Sequence, residues 1–179
     1  MENENDRKNI FSSHDGCIIM KKIVLLIIVI FVLIFGILIF QINQVWNQND
    51  ALFEKAQSTL QIELPNASIL NKDIYNGKQQ WIWFQVRDTN HEEKHVLIPT
   101  KKEDEQPNLV VRKITDGISK EDAIAILTEK ETPKSISRVV LGIEDDRVVW
   151  EITYKNQSNQ LSYYYLDFKS GEFVKSFSL

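Results

Sequence analysis

The residues His91-Glu92-Glu93-Lys94-His95 spell H-E-x-x-H, the pattern in which two imidazoles hold a zinc ion and the glutamate activates its water. That chemistry requires a helix, because only there do side chains four residues apart reach one metal. Here the pentad follows the turn-forming run Asp88-Thr89-Asn90 and sits between a strand-like segment ending near Arg87 and another beginning near His95. In an extended chain the two imidazoles stand about 13 Å apart at about 3.3 Å per residue, too far to share an ion. The motif therefore reads as a solvated hairpin loop, and neither a metal nor a cofactor is expected.

Other constellations fail for similar reasons. Both C-terminal histidines lie in that one loop, which leaves no Ser/His/Asp nucleophile set, and Glu103-Asp104-Glu105 reads as linker solvation. A carboxylate pair for glycan cleavage would need two acids singled out by their surroundings, and no spacing does so. Six scattered glycines form no phosphate cradle. A single cysteine, Cys17, excludes a disulfide scaffold, and a net charge of −4 excludes the basic footprint of a nucleic-acid binder. The expectation is a non-enzymatic chain with no small-molecule substrate.

Aromatic residues are more informative. Trp81 and Trp83 alternate with Ile82, Phe84 and Val86, and so share the polar face of a strand with Gln85 and Arg87. Tyr163 and Tyr165 likewise share a face with Asp167, opposite Tyr164, Leu166 and Phe168. Large rings on a polar strand face form a binding surface, either for a partner protein or for a second module of the same chain. Trp150 falls on a core face.

The elements that position these rings follow from period and punctuation. Leu52, Phe53, Ala56 and Leu60 give residues 45–61 a helical stripe that Pro65 closes. Strands are expected at 68–75, 78–87 and 95–100, the first two joined by an Asn76-Gly77 hairpin turn. After a charged linker, 101–107, Ser119 with Asp122 fits a capping box that opens a helix carrying Ala123, Ile126 and Leu127 inward, and Thr132-Pro133 stops it. Four strands follow at 135–144, 147–154, 162–168 and 172–177. A shift of 68 residues lays Ile82, Phe84 and Val86 on Trp150, Ile152 and Tyr154, and lays Val96 and Ile98 on Tyr164 and Leu166. The helices match at 67 or 68. The chain reads as a duplication of one helix packed on an antiparallel β-meander, an α+β fold.

Ahead of both modules stands Ile23 to Phe40, apolar at every position except Gly36. At about 1.5 Å per residue this spans roughly 27 Å, close to a hydrocarbon core. No small-residue cleavage site follows, so it reads as an uncleaved anchor. Lys21 and Lys22 flank its N-terminal side, and the first basic residue beyond it is Lys55, which puts the N-terminus in the cytoplasm and the modules outside. Trp46 occupies an interfacial position. The expected organisation is a cytoplasmic tail at 1–22, disordered over residues 1–19, a transmembrane helix at 23–42, a first module at 45–106 and a second at 107–179. Met20-Lys21-Lys22 is how a membrane protein commonly begins, which marks Met20 as the expected start.

The second module resembles a PepSY domain through Ile118 to Ala123 at the helix start, Trp150-Glu151-Ile152, and Tyr164 to Asp167 with Gly171. Residues 20–179 together resemble the TseB-like (YpmB) family of Gram-positive cell wall elongation regulators. The resemblance implies two tandem cystatin-like modules outside the cell membrane. It also implies association with a penicillin-binding protein of cell elongation, a transpeptidase of peptidoglycan synthesis. It brings no catalytic residues. PepSY-like units also occur in peptidase propeptides, which makes an inhibitor or modulator of an extracytoplasmic peptidase the alternative.

Overall fold

A computed structural model describes residues 4–101 and 109–179, without side-chain detail for residues 4–20, 42, 43 and 45–48. The acidic run Glu103-Asp104-Glu105, nearly all of the linker at 101–107 and the side chain of Trp46 lie outside the described residues. Two compact units result, Met1–Asp50 and Ala51–Leu179.

The first unit is helical. Helix α1 (Glu4–Glu63) begins far ahead of the apolar block, so residues 4–19 are helical where a disordered tail was expected. Once an apolar segment has nucleated a helix, each further residue adds a hydrogen bond at little cost, and no proline interrupts the extension. Lys21–Gln41 has a mean hydropathy of 3.7, and none of its residues is buried in the protein. By length and composition this stretch is a candidate single-pass membrane span.

The second unit contains two four-stranded antiparallel sheets, each with a helix. Strands β1 (Ser68–Asn76), β2 (Gln80–Arg87), β3 (Glu93–Pro99) and β4 (Val110–Lys113) form the first, in that order. Strand β4 was not foreseen, being only four residues long. It pairs with β3 through Lys94↔Lys113 and Leu97↔Val110, so the first sheet extends past residue 106. Ala56, Leu60, Ile82, Phe84, Val86, Val96 and Ile98 form the core between this sheet and the C-terminal turns of α1.

After a 3₁₀ turn at Ile114–Asp116, helix α2 (Lys120–Glu131) opens on the expected capping box. The Ser119 hydroxyl accepts from the Asp122 amide at 3.0 Å while Asp122 accepts from the Ser119 amide at 3.1 Å. Thr132 closes the helix in the left-handed region, φ 43°. Strands β5 (Ser135–Glu144), β6 (Arg147–Lys155), β7 (Leu161–Asp167) and β8 (Phe173–Ser178) build the second sheet in sequence order.

The duplication extends to irregularities. Strand β1 bulges between Ile69 and Asn71, and β5 bulges between Ile136 and Arg138, the same place 67 residues later. Ala56 and Leu60 likewise match Ala123 and Leu127 at 67, and all four are buried. The offset becomes 68 at the first hairpin. Asn76 pairs with Gln80 around a three-residue loop, whereas Glu144 pairs with Arg147 around Asp145-Asp146. Both of those aspartates have positive φ, 47° and 63°, as a two-residue type I′ turn demands. Asn76-Gly77 is therefore not the tight turn expected. Gly77 is required instead because a Cβ there would strike the Tyr75 ring.

Candidate functional site

Within the Ala51–Leu179 unit the two sheets pack through β1, β2 and β5. Trp81 and Trp83 are 2% and 1% exposed and join Tyr75 and Leu97 in one core with Val140, Val149 and Trp150. Tyr165 is 4% exposed on the facing strand. Of the four rings singled out by strand alternation, three are thus enclosed, and Tyr163 alone is half-buried. The Tyr75 ring lies against Gly142, where any Cβ would collide with it.

Polar groups cross the same interface. Arg138 on β5 donates through Nε to Asp73 Oδ2 at 3.0 Å and through Nη2 to Asp73 Oδ1 at 2.8 Å, and it also reaches the Ile74 carbonyl. Its Nη1 lies 3.6 Å from Glu151 Oε1 on β6. Tyr165 on β7 donates to Glu151 Oε2 at 2.7 Å. A second chain begins at Tyr75, whose hydroxyl donates to Glu144 Oε2 at 2.8 Å, while Lys175 on β8 donates to Glu144 Oε1 at 2.5 Å and lies 4.5 Å over the Tyr165 ring. Every strand of the second sheet therefore contributes a charged or phenolic group.

The charge states follow from these partners. Burial pushes Glu151 above the ordinary carboxylate range, even with the Tyr165 hydrogen bond and Arg138 opposing it. Burial acts the same way on Glu144, but hydrogen bonds from Lys175 and Tyr75 overcome it and hold the group below its ordinary value. Burial, reinforced by the two acceptors, raises Tyr75 and Tyr165, which keeps both as hydrogen-bond donors. These carboxylates are consumed in holding the sheets together.

The H-E-x-x-H residues occupy a hairpin. Thr89 and Asn90 form the turn between β2 and β3, His91, with φ 63°, and Glu92 lead from it into β3, and His95 lies inside β3. Asp88 organises the turn, with its Oδ1 accepting from the amides of Asn90 at 2.8 Å and Glu92 at 3.0 Å and its Oδ2 accepting from Lys94 at 2.6 Å. His95 is buried among aromatic rings, 5.7 Å from Trp83, 5.5 Å from Trp150 and 5.6 Å from Phe168. Its Nδ1 accepts from Trp83 Nε1 at 3.2 Å, and burial drives its pKa down to about 4. A neutral imidazole used as a packing element results. The solvated loop expected for the whole pentad therefore does not extend to His95, which is 4% exposed inside β3, where its parity with Leu97 turns it toward the second sheet.

The inter-sheet face continues beyond its covered part. Tyr163 stacks on Phe177 at 4.9 Å, and Phe177 also stacks on Tyr165 at 6.0 Å. Phe177 is 45% exposed and Leu179 72% exposed, with Leu161 beside them through the Leu179 amide bond to its carbonyl. This strip is the accessible remainder of the aromatic surface. A separate groove of about 280 Å³ between α1 and the β2–β3 hairpin is lined by Leu52, Ala56, Ile82 and Ile98, with Lys55, Thr59, Glu63 and Thr100 as its polar groups.

Residues 117–177 match the PepSY family, described as peptidase propeptide and YPEB domain. The chain is 23% identical over 154 residues to the probable cell wall elongation regulator TseB of Bacillus subtilis (strain 168), covering 82% of this chain and 94% of that protein. The solved structure of the YpmB protein from Bacillus subtilis matches with a TM-score of 0.61 and 23% identity, over 70% of this chain and 96% of that one. Residues 117–177 in the C-terminal half thus match a PepSY domain, and the chain is similar to TseB along most of its length.

Proposed function

We propose that this chain is a non-catalytic regulator of cell-wall elongation that works by contacting a penicillin-binding transpeptidase. Residues 1–22 lie in the cytoplasm, 23–42 anchor the chain in the cell membrane, and the two modules stand outside. Lys21 and Lys22 beside the apolar block support that orientation. The single observation carrying the contact reading is the half-open aromatic strip Tyr163, Phe177, Leu161 and Leu179, continuous with an interface whose other rings are enclosed. Sharing one membrane raises the effective concentration of both proteins, so a strip of a few hundred Å² suffices for regulation without a permanent complex.

The test is amine-reactive crosslinking of growing cells, followed by identification of the main adduct of the full chain. A penicillin-binding protein is the expected product. An extracytoplasmic peptidase in its place would reassign the chain to the propeptide-like mode, and the absence of any adduct would remove the contact reading.

A further inference from the structure

We propose that β8 is a docking edge at which an extended strand of a partner protein adds to the free side of the second sheet. The proposal rests on the contact reading above and specifies how the contact is made. Strand β8 ends the order β5-β6-β7-β8, and among the described residues no further strand pairs with it. Each face of this edge displays an exposed phenylalanine beside a tyrosine. Phe177, 45% exposed, stacks on Tyr163 on the face turned toward the first sheet, while Phe173, 56% exposed, pairs with Leu166 and lies 5.1 Å from Tyr164 on the opposite face. A helix or a flat surface laid on one face covers one ring and leaves the other in water. A strand paired along the edge sends alternate side chains to both faces and covers both.

Edges of this kind are normally guarded by a charge. The charge here, Lys175, is withdrawn, since its ammonium is 2.5 Å from buried Glu144 and lies over the Tyr165 ring. The open strip is also continuous with an established interface, because Phe177 stacks on Tyr165 as well as Tyr163. The occupant is a strand of the membrane-confined partner of the contact reading, free of proline and carrying apolar or β-branched side chains at successive positions to cover Phe173 and Phe177. A second copy of this chain is an outcome that the test below separates.

Backbone geometry supplies the test. The Leu179 amide donates to the Leu161 carbonyl at 2.9 Å, and Tyr163 lies opposite Phe177. On the alternation of an antiparallel ladder, the amides of Ser176 and Ser178 then point outward. Photoreactive benzoylphenylalanine at Phe173 and at Phe177, in the full chain in growing cells, is expected to capture one and the same protein from both positions. Ser176→Pro removes an outward donor while keeping the β7 ladder, and it should reduce both adducts at least tenfold with circular dichroism unchanged. Ser178→Pro provides the same readout if Ser176→Pro fails to fold. Capture from Phe177 alone, adducts insensitive to both prolines, or an adduct between two copies of this chain would each overturn the proposal. A penicillin-binding protein captured by the amine-reactive reagent without any β8 adduct would overturn the edge and leave the contact reading standing.

Discussion

The ring of Tyr75 lies against Gly142, and the two residues occupy the same position of the duplicated fold, 67 residues apart. Where one module carries a large side chain, the other carries none, so the modules fit each other as knob and hole. The Tyr75 hydroxyl then reaches Glu144 two residues beyond the hole. Each module alone buries a small core, and small cores are marginal. Packing the sheets together adds Trp81, Trp83 and Tyr75 to a shared core.

Filling the hole tests this arrangement. In Gly142→Val the new side chain overlaps the Tyr75 ring, and overpacking of this kind costs about 1–3 kcal/mol. Tyr75→Phe keeps the ring and strands the buried Glu144 carboxylate without one of its donors, a loss of about 1–2 kcal/mol. Denaturant unfolding of the Ala51–Leu179 region in the intact chain should show both as lowered midpoints. A midpoint for Gly142→Val equal to that of the native chain would refute the close contact.

The inter-sheet charges make a second prediction. Arg138 bridges Asp73 and Glu151, so Arg138→Met leaves two carboxylates facing each other without a cation. Because Arg138 and Asp73 are partly solvated, the expected loss is about 2–3 kcal/mol, below the range for a fully buried pair. Glu151→Gln retains an acceptor for the Tyr165 hydroxyl and should cost less than Arg138→Met. Urea unfolding of the two variants gives the ranking, and the reverse order would contradict the geometry.

Stability should also depend on pH through His95. Its folded pKa is held near 4 by burial, against about 6.5 in the unfolded chain. Between those values the unfolded state binds a proton that the folded state refuses, so stability falls as the solution is acidified from pH 6.5 to pH 4. The full difference is on the order of 3 kcal/mol, and above pH 6.5 this contribution is constant. His95→Phe should flatten that part of the profile. Thermal unfolding across the window measures the slope, and an unchanged slope in the variant would assign it to other groups.

Much of this fold was legible because its signals were local. Ser119 with Asp122 announced a helix start, Asp145-Asp146 announced a turn, and alternation from Ile82 to Val86 fixed which side of β2 meets α1. Strand β4 was illegible because four residues carry too little period to separate from a linker. The shape of the first hairpin was hidden for another reason. Asn76-Gly77 is a strong local signal, but Gly77 answers to the Tyr75 ring rather than to a type I′ turn. The fate of Trp81 and Trp83 was legible only as a choice, since a strand pattern places a ring on a face without saying what covers that face.

The H-E-x-x-H loop offers a sharp contrast between a scaffold and a catalyst. Asp88 accepts from two backbone amides and from Lys94, which holds its carboxyl below the ordinary range. Asp88→Ala removes all three acceptor contacts at once and should lower the unfolding midpoint clearly, as the loss of turn and cap hydrogen bonds does. Glu92 makes only exposed contacts to Lys113 and Lys94, so Glu92→Gln should change stability by less than about 0.5 kcal/mol. In a zinc peptidase the order of importance would invert, with Glu92 essential to activity and Asp88 replaceable. Denaturation midpoints of the two variants, together with zinc analysis of the purified chain, decide between these outcomes. Stoichiometric zinc lost on replacing His91 or His95 would overturn the hairpin reading, because a neutral, buried His95 hydrogen-bonded through Nδ1 to Trp83 cannot turn toward a shared metal without dismantling the aromatic core.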